Sequence, residues 1–113
     1  MLTGCGSPHG STALGFCDPR WSECLGQAVG INSCDDYCSS IGKRCCDRFR
    51  VQNGLCAQQE LCITSRNYPV GWGLESWHTR AECQDPLSLG VGQLYCDSQI
   101  DKTPAYRCCC LAK

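Results

Sequence analysis

The sequence predicts a small, disulfide-rich α+β fold, with one or two short helices clamped to a small antiparallel sheet and much irregular loop. Three observations lead there. Fourteen cysteines in 113 residues make about 12% of the chain, above the roughly 8–10% that marks a disulfide scaffold. Leu, Ile, Val and Phe together number only 20, about 18%, below the ~20% of ordinary globular domains. Finally, a cysteine pair at helical spacing, Cys34 and Cys38, is matched far along the chain by a pair at strand spacing, Cys108 and Cys110.

So few core formers leave crosslinks to supply the stability. Disorder, the other outcome of such a composition, usually comes with high net charge, and the balance here is −1. The cysteine count is even, so every thiol can be bridged, which implies an oxidising setting: extracellular or secreted, or another oxidising lumen. A single cysteine-rich domain is expected over residues 1–113, with 1–30 an extended, loop-rich N-terminal segment and 31–113 the disulfide-bonded body. "MLTGCGSPHGSTALGFC" has neither a basic start nor an apolar run, so no secretory leader is expected within it. No stretch is apolar for long enough to suggest a transmembrane segment.

Residues 1–30, rich in Gly, Ser and Pro, read as loop and turn, tied down by Cys5, Cys17 and Cys24. A short helix is predicted over 34–41: Ser33 followed by Asp36 resembles a capping box, Asp35 and Asp36 suit the dipole, and Gly42 offers a left-handed C-terminal cap. "KRCCDRFRVQ" alternates charged with apolar or sulfur residues and is expected to be a strand; Asn53-Gly54 is a turn. "LCAQQELC" has helix-forming composition. The twenty residues between Cys62 and Cys83 are broken by Pro69, Gly71 and Gly73, and "ESWHTRAEC" is expected to hold a helical turn. "GQLYCDSQ" and "AYRCCCLA" read as strands around a turn at "DKTP".

The run Cys108–Cys109–Cys110 explains itself on a strand, where Cys108 and Cys110 share one face and Cys109 takes the other. Four helical residues rise about 6 Å and two strand residues about 6.6 Å, so two bridges can be spanned together. The expected pairs are Cys34–Cys108 and Cys38–Cys110, with Cys109 crosslinking the opposite face. Partners for Cys5, Cys17, Cys24, Cys45, Cys46, Cys56, Cys62, Cys83, Cys96 and Cys109 stay open at this point.

Cys34-x3-Cys38, Gly42 with Cys45, and Cys108-x-Cys110 resemble the cysteine-stabilised αβ motif of defensins and scorpion toxins. Nothing in those shorter families matches the residues between Cys46 and Cys108, so the resemblance implies only the clamp. Over residues 34–110 the order of cysteines and glycines, ending in "RCCC", is similar to cysteine-rich extracellular modules of algal and protist proteins. That likeness implies an extracellular structural or binding module.

Zinc fits poorly: no C-x2-C knuckle occurs, and His9 and His78 lie far apart. No cofactor is expected. For catalysis, His78 near Glu75, Ser76, Glu82 and Asp85 is a weak grouping, no G-x-S-x-G occurs, and the "CC" at 45–46 lacks a following His-Asp. No enzymatic activity is expected. Two surfaces stand out. Tyr68, Trp72, Trp77 and His78 form a possible binding surface, since exposed aromatic faces stack on sugars and anchor interfaces, although Trp72 and Trp77 also suit the core. Lys43, Arg44, Arg48 and Arg50 form a possible anion patch or a solvated strand face, and Ala at Lys43 or Arg50 is expected to cost little. Near-neutral charge argues against nucleic acid. The reading is a non-enzymatic structural or interaction subunit of an extracytosolic assembly, with other protein subunits or its own copies as partners. The alternatives are a carbohydrate-binding module using the aromatic loop, and a secreted toxin, inhibitor or effector.

Overall fold

The structure, a computed structural model, describes residues 18–62, 71–100 and 104–112. Cys5, His9, Cys17, Tyr68 and residues 101–103 of the expected turn lie outside them. In chain order the elements are β1 (Arg20–Trp21), α1 (Cys34–Ser40), β2 (Lys43–Arg44), α2 (Arg48–Gln52), a 3-10 turn (Gln58–Glu60), β3 (Leu74–Trp77), α3 (Arg80–Gln84), β4 (Gly92–Leu94) and β5 (Ala105–Ala112). This is a small α+β fold, disulfide-rich and with an antiparallel sheet, as the composition and the cysteine spacing predict.

Eight-residue β5 is the longest strand and organises the rest. The sheet runs β1-β5-β3-β4, and β2 also pairs with β5. Side chains alternate along a strand, so β5 serves two cores. Tyr106, Cys108 and Cys110 pack with Leu74, Cys34, Cys38, Cys45, Cys96 and Ile100. On the other face Leu111 packs with Cys46 and Leu61, and Ala105 with Cys24, Trp77 and Cys83. Among the described residues, eleven of the eighteen buried apolar ones are cysteines, so sulfur fills the volume that aliphatic side chains fill elsewhere.

The bridges follow that alternation. Cys34 is bonded to Cys108 and Cys38 to Cys110, with Cα separations of 5.4 and 5.5 Å. Cys109, pointing the opposite way, is bonded to Cys62 across 6.0 Å. Cys45–Cys96, Cys46–Cys56 and Cys24–Cys83 complete six bridges among the described residues.

Helix α1 starts where the Ser33 side chain accepts the Asp36 N–H at 3.2 Å, while the Asp36 carboxylate accepts the Asn32 N–H at 2.9 Å. It ends at Gly42, whose φ of +74° favours glycine and whose N–H donates to the Ser39 carbonyl.

Three expectations are corrected. The strand expected over 43–52 is confined to Lys43–Arg44, because the Asp47 carboxylate accepts the Arg50 N–H at 2.9 Å and starts α2; a local cap overrides the alternation. The helix expected over "LCAQQELC" is a single 3-10 turn, since Cys56 and Cys62 are drawn to different partners, Cys46 and Cys109. "ESWHTRAEC" divides into the end of β3 and helix α3, whose start is set by the Thr79 hydroxyl accepting the Glu82 N–H. Within the segment read as loop, Arg20–Trp21 forms an edge strand on Cys110 and Cys109.

Replacing Cys34 and Cys108 together by Ala opens a loop of about 75 residues, a loss of roughly 4–5 kcal/mol in the chain-entropy model. Against a usual total of about 5–15 kcal/mol, the denaturant midpoint is expected to fall by a large fraction, and an unchanged midpoint rejects the clamp as the main constraint. Burial, and then the Tyr37 phenol, raise the Tyr106 pKa above its ordinary value, while its hydroxyl donates to the Gly26 carbonyl at 3.1 Å. Folding then favours the protonated phenol, so this contribution is intact below about pH 10 and is lost as pH rises through the folded value. An alkaline absorbance titration should show a late tyrosine component that Tyr106→Phe removes.

Candidate binding surface

The aromatic surface expected at Tyr68, Trp72, Trp77 and His78 does not assemble as one group. Trp77 is 1% exposed and packs on Cys24, Cys83 and Ala105, with its indole N–H donating to the Ser88 carbonyl at 3.3 Å. The inward face of β3 takes it because so few aliphatics are available for that core. His78, just past the strand, is exposed; Trp72 is half-buried. Tyr68 lies outside the described residues.

A different set converges instead: Arg48, Phe49, Trp72 and Tyr95. Its position is set by Asp47, which is 2% exposed and has both carboxylate oxygens in use. One caps α2 and the other accepts the Cys96 N–H at 2.9 Å, so one side chain ties the start of α2 to the residue after Tyr95. The Arg48 N–H donates to the Gly71 carbonyl at 3.0 Å, bringing the chain beside Trp72 to the same place. The Cys45–Cys96 bridge holds the two segments together from beneath.

The Phe49 and Tyr95 rings then lie 4.5 Å apart, and Trp72 and Tyr95 5.1 Å apart, both tilted. The Arg48 guanidinium sits 4.5 Å over the Trp72 ring and donates to the Tyr95 hydroxyl at 3.4 Å. Phe49 is 48% exposed. Arg48 has no carboxylate partner among the described residues. Rings that are partly solvated and a cation held by π faces make a rigid amphipathic patch. Residues 48, 49, 72 and 95 share no sequence pattern, and the only local hint is Asp47 three residues before Arg50.

The cationic group divides. Lys43, Arg44 and Arg50 line an open cleft of about 470 Å³ together with Asp35, whereas Arg48 belongs to the aromatic patch. Arg50 makes two bonds to the Asp35 carboxylate, at 2.6 and 2.7 Å, and a third to the Cys45 carbonyl. That bonding to Asp35 raises the Arg50 pKa, and burial only partly offsets it. Arg44 pairs with the buried Glu60 carboxylate, whose other oxygen accepts the Ala57 N–H. Most of the cleft's positive charge is therefore spent on fold-internal pairs, which weakens an anion site there.

Two other groupings carry little chemistry. Asp35, Cys45 and Cys96 bring ligand-type atoms within 4.8 Å, but the two sulfurs are bonded to each other and offer no thiolate. Glu75 and Ser76 are consecutive in β3 and point to opposite faces, and Glu75 is buried whereas His78 is exposed, so the carboxylate and the imidazole do not share one site.

The arginines separate by experiment. Arg50→Ala removes a bidentate, charge-assisted pair between α1 and α2 and should cost about 1–2 kcal/mol, contrary to the small cost expected from sequence. Lys43→Ala should stay within about 0.5 kcal/mol. Equal denaturant midpoints for the two variants reject this division. Comparison with known proteins supplies no template for the patch: no family model, no curated protein and no solved structure matches the chain.

Proposed function

We propose that this chain is a non-enzymatic interaction subunit of an extracytosolic assembly, and that Arg48, Phe49, Trp72 and Tyr95 form its contact with a protein partner. The observation that carries this reading is the rigid aromatic–arginine patch itself. Trp, Tyr and Arg are the residue types that dominate binding energy at protein interfaces, where rigid rings lose little entropy on contact. Its supports are tied to the body of the fold: α2 is capped by a buried carboxylate, and Tyr95 adjoins a disulfide-bonded cysteine. A pre-ordered patch binds more tightly for the same contacts.

The oxidising compartment is supported by six disulfides among the described residues, since such density is usual outside the reducing cytosol. No helix among the described residues is long and apolar enough to cross a membrane.

A carbohydrate-binding module is the second reading. Half-exposed Phe49, beside an arginine and a tyrosine hydroxyl, offers a sugar both a stacking face and hydrogen-bonding groups. This moves the expected glycan site from the loop containing Trp77 to the patch on α2.

Native purification from the source, in parallel with an Arg48→Ala, Phe49→Ala double variant, tests the first reading. The wild type should elute with a distinct second protein that the variant has lost, while both melt alike. Elution of the wild type with no other protein overturns it. A glycan array separates the second: binding by the wild type that falls at least tenfold in Phe49→Ala assigns the patch to sugar, and binding unchanged by that substitution rejects it.

A further inference from the structure

Of the twelve cysteines among the described residues, eleven are buried. Cys56 is the exception. It is half-buried, and Gln52, Asn53, Gly54 and Leu55 before it are all exposed, Leu55 at 69%. Its partner Cys46 is fully enclosed. Among the six bridges of the described residues, Cys46–Cys56 also closes the smallest loop, with a sequence separation of 10 against 47 for the next. A short loop restricts the unfolded chain least, so in the chain-entropy model this bridge contributes least to overall stability. The other five crosslink α1, β5, α3 and the segments around Cys45 and Cys62 without it.

The loop that this bridge closes contains α2. No residue of α2 is buried, and its apolar anchor is Val51, packed with Cys56 on the small core of Cys46, Leu61 and Leu111. The N–H groups of Asn53, Gly54 and Leu55 donate back to the Phe49, Val51 and Arg50 carbonyls, so the return segment is bonded to the helix itself. At five residues, α2 is too short to persist unaided. Its polar ties are Asp47 at the start, Arg48 to Gly71, and Arg50 to Asp35; the bridge is the covalent tie around it. We infer that Cys46–Cys56 is a thiol–disulfide exchange site, open to an external dithiol through Cys56, and that its reduction loosens α2 and with it the aromatic patch.

Exchange depends on access to the attacked sulfur as well as on the attacking thiolate, and exposed bridges are the labile ones. A thiolate of the dithiol attacks Cys56 Sγ. The bond to Cys46 Sγ breaks, and its electron pair leaves on Cys46, which takes up a proton. The second thiolate of the reagent attacks the reagent's own sulfur in the mixed disulfide and releases Cys56, which is protonated in turn. Two electrons and two protons pass from the dithiol to the protein, and the dithiol becomes a disulfide. Arg48 and Phe49 lie on the loop thus opened. Trp72 and Tyr95 do not: the Gly73 N–H donates to the Leu94 carbonyl, and Tyr95 precedes Cys96, which stays bonded to Cys45. The patch is therefore complete only in the oxidised protein. That consequence for binding rests on the proposed partner contact; the exchange itself does not.

Graded reduction of the native, fully oxidised protein with dithiothreitol, quenched with iodoacetamide and mapped by mass spectrometry, tests the site. Among the six bridges of the described residues, Cys46 and Cys56 should be alkylated first, roughly tenfold faster than the next pair. Another of these bridges opening first, or all six opening together, overturns the inference. Indole N–H resonances then read the consequence in the protein reduced at this bridge alone. The Trp72 resonance should shift, while that of Trp77, bonded to the Ser88 carbonyl within the core, should stay in place. An unchanged Trp72 resonance, or equal shifts of both, overturns the link from bridge to patch. No second protein takes part, so failure here leaves the partner contact standing, and absence of a partner leaves the exchange site standing.

Discussion

A strand offers neighbouring side chains only to opposite faces, and β5 meets that restriction with three consecutive cysteines. Cys108 and Cys110 bind the helix on one side, and Cys109 binds Cys62 on the other. The strand is consequently fixed from both faces over about 7 Å of its length. The strands paired with it, β1, β2 and β3, are aligned by hydrogen bonding to it. With so few aliphatic residues, these crosslinks take on much of the work of setting the relative positions of the elements.

The same economy shapes the interior. Cysteine pairs serve as both core and crosslink, and the remaining inward positions go to a few large side chains, Trp77, Tyr106, Leu74 and Ile100. Buried carboxylates complete the frame. Asp47 joins the start of α2 to Cys96, and Glu60 joins Arg44 to the backbone of Ala57. Arg107, opposite Glu75 in the register, donates to the Ser22 and Cys83 carbonyls and so links the segment after β1 with α3. Polar groups here act as joints between short elements that have too little apolar surface to pack unaided.

The outward patch follows from these internal demands. Asp47 fixes α2, and α2 in turn presents Arg48 and Phe49 beside Trp72 and Tyr95.

Cysteine count and spacing determined the fold class, the helix at Cys34 and the pairing of its two cysteines with Cys108 and Cys110, because helical and strand periods are local properties that spacing records. The start of α1 was legible for the same reason, in Ser33 and Asp36. The other four bridges were not legible, since nothing local distinguishes one distant thiol from another. Only the tertiary structure decided that 48–52 is helix, because Asp47 gains a second partner, the Cys96 N–H, from a segment 49 residues away. It alone decided that Trp77 enters the core while Trp72 joins the surface patch, and that Arg50 is bound to Asp35 rather than free for an anion. In each case the side chain's role depends on which distant group the bridges bring within a few ångströms, and sequence order does not encode that distance.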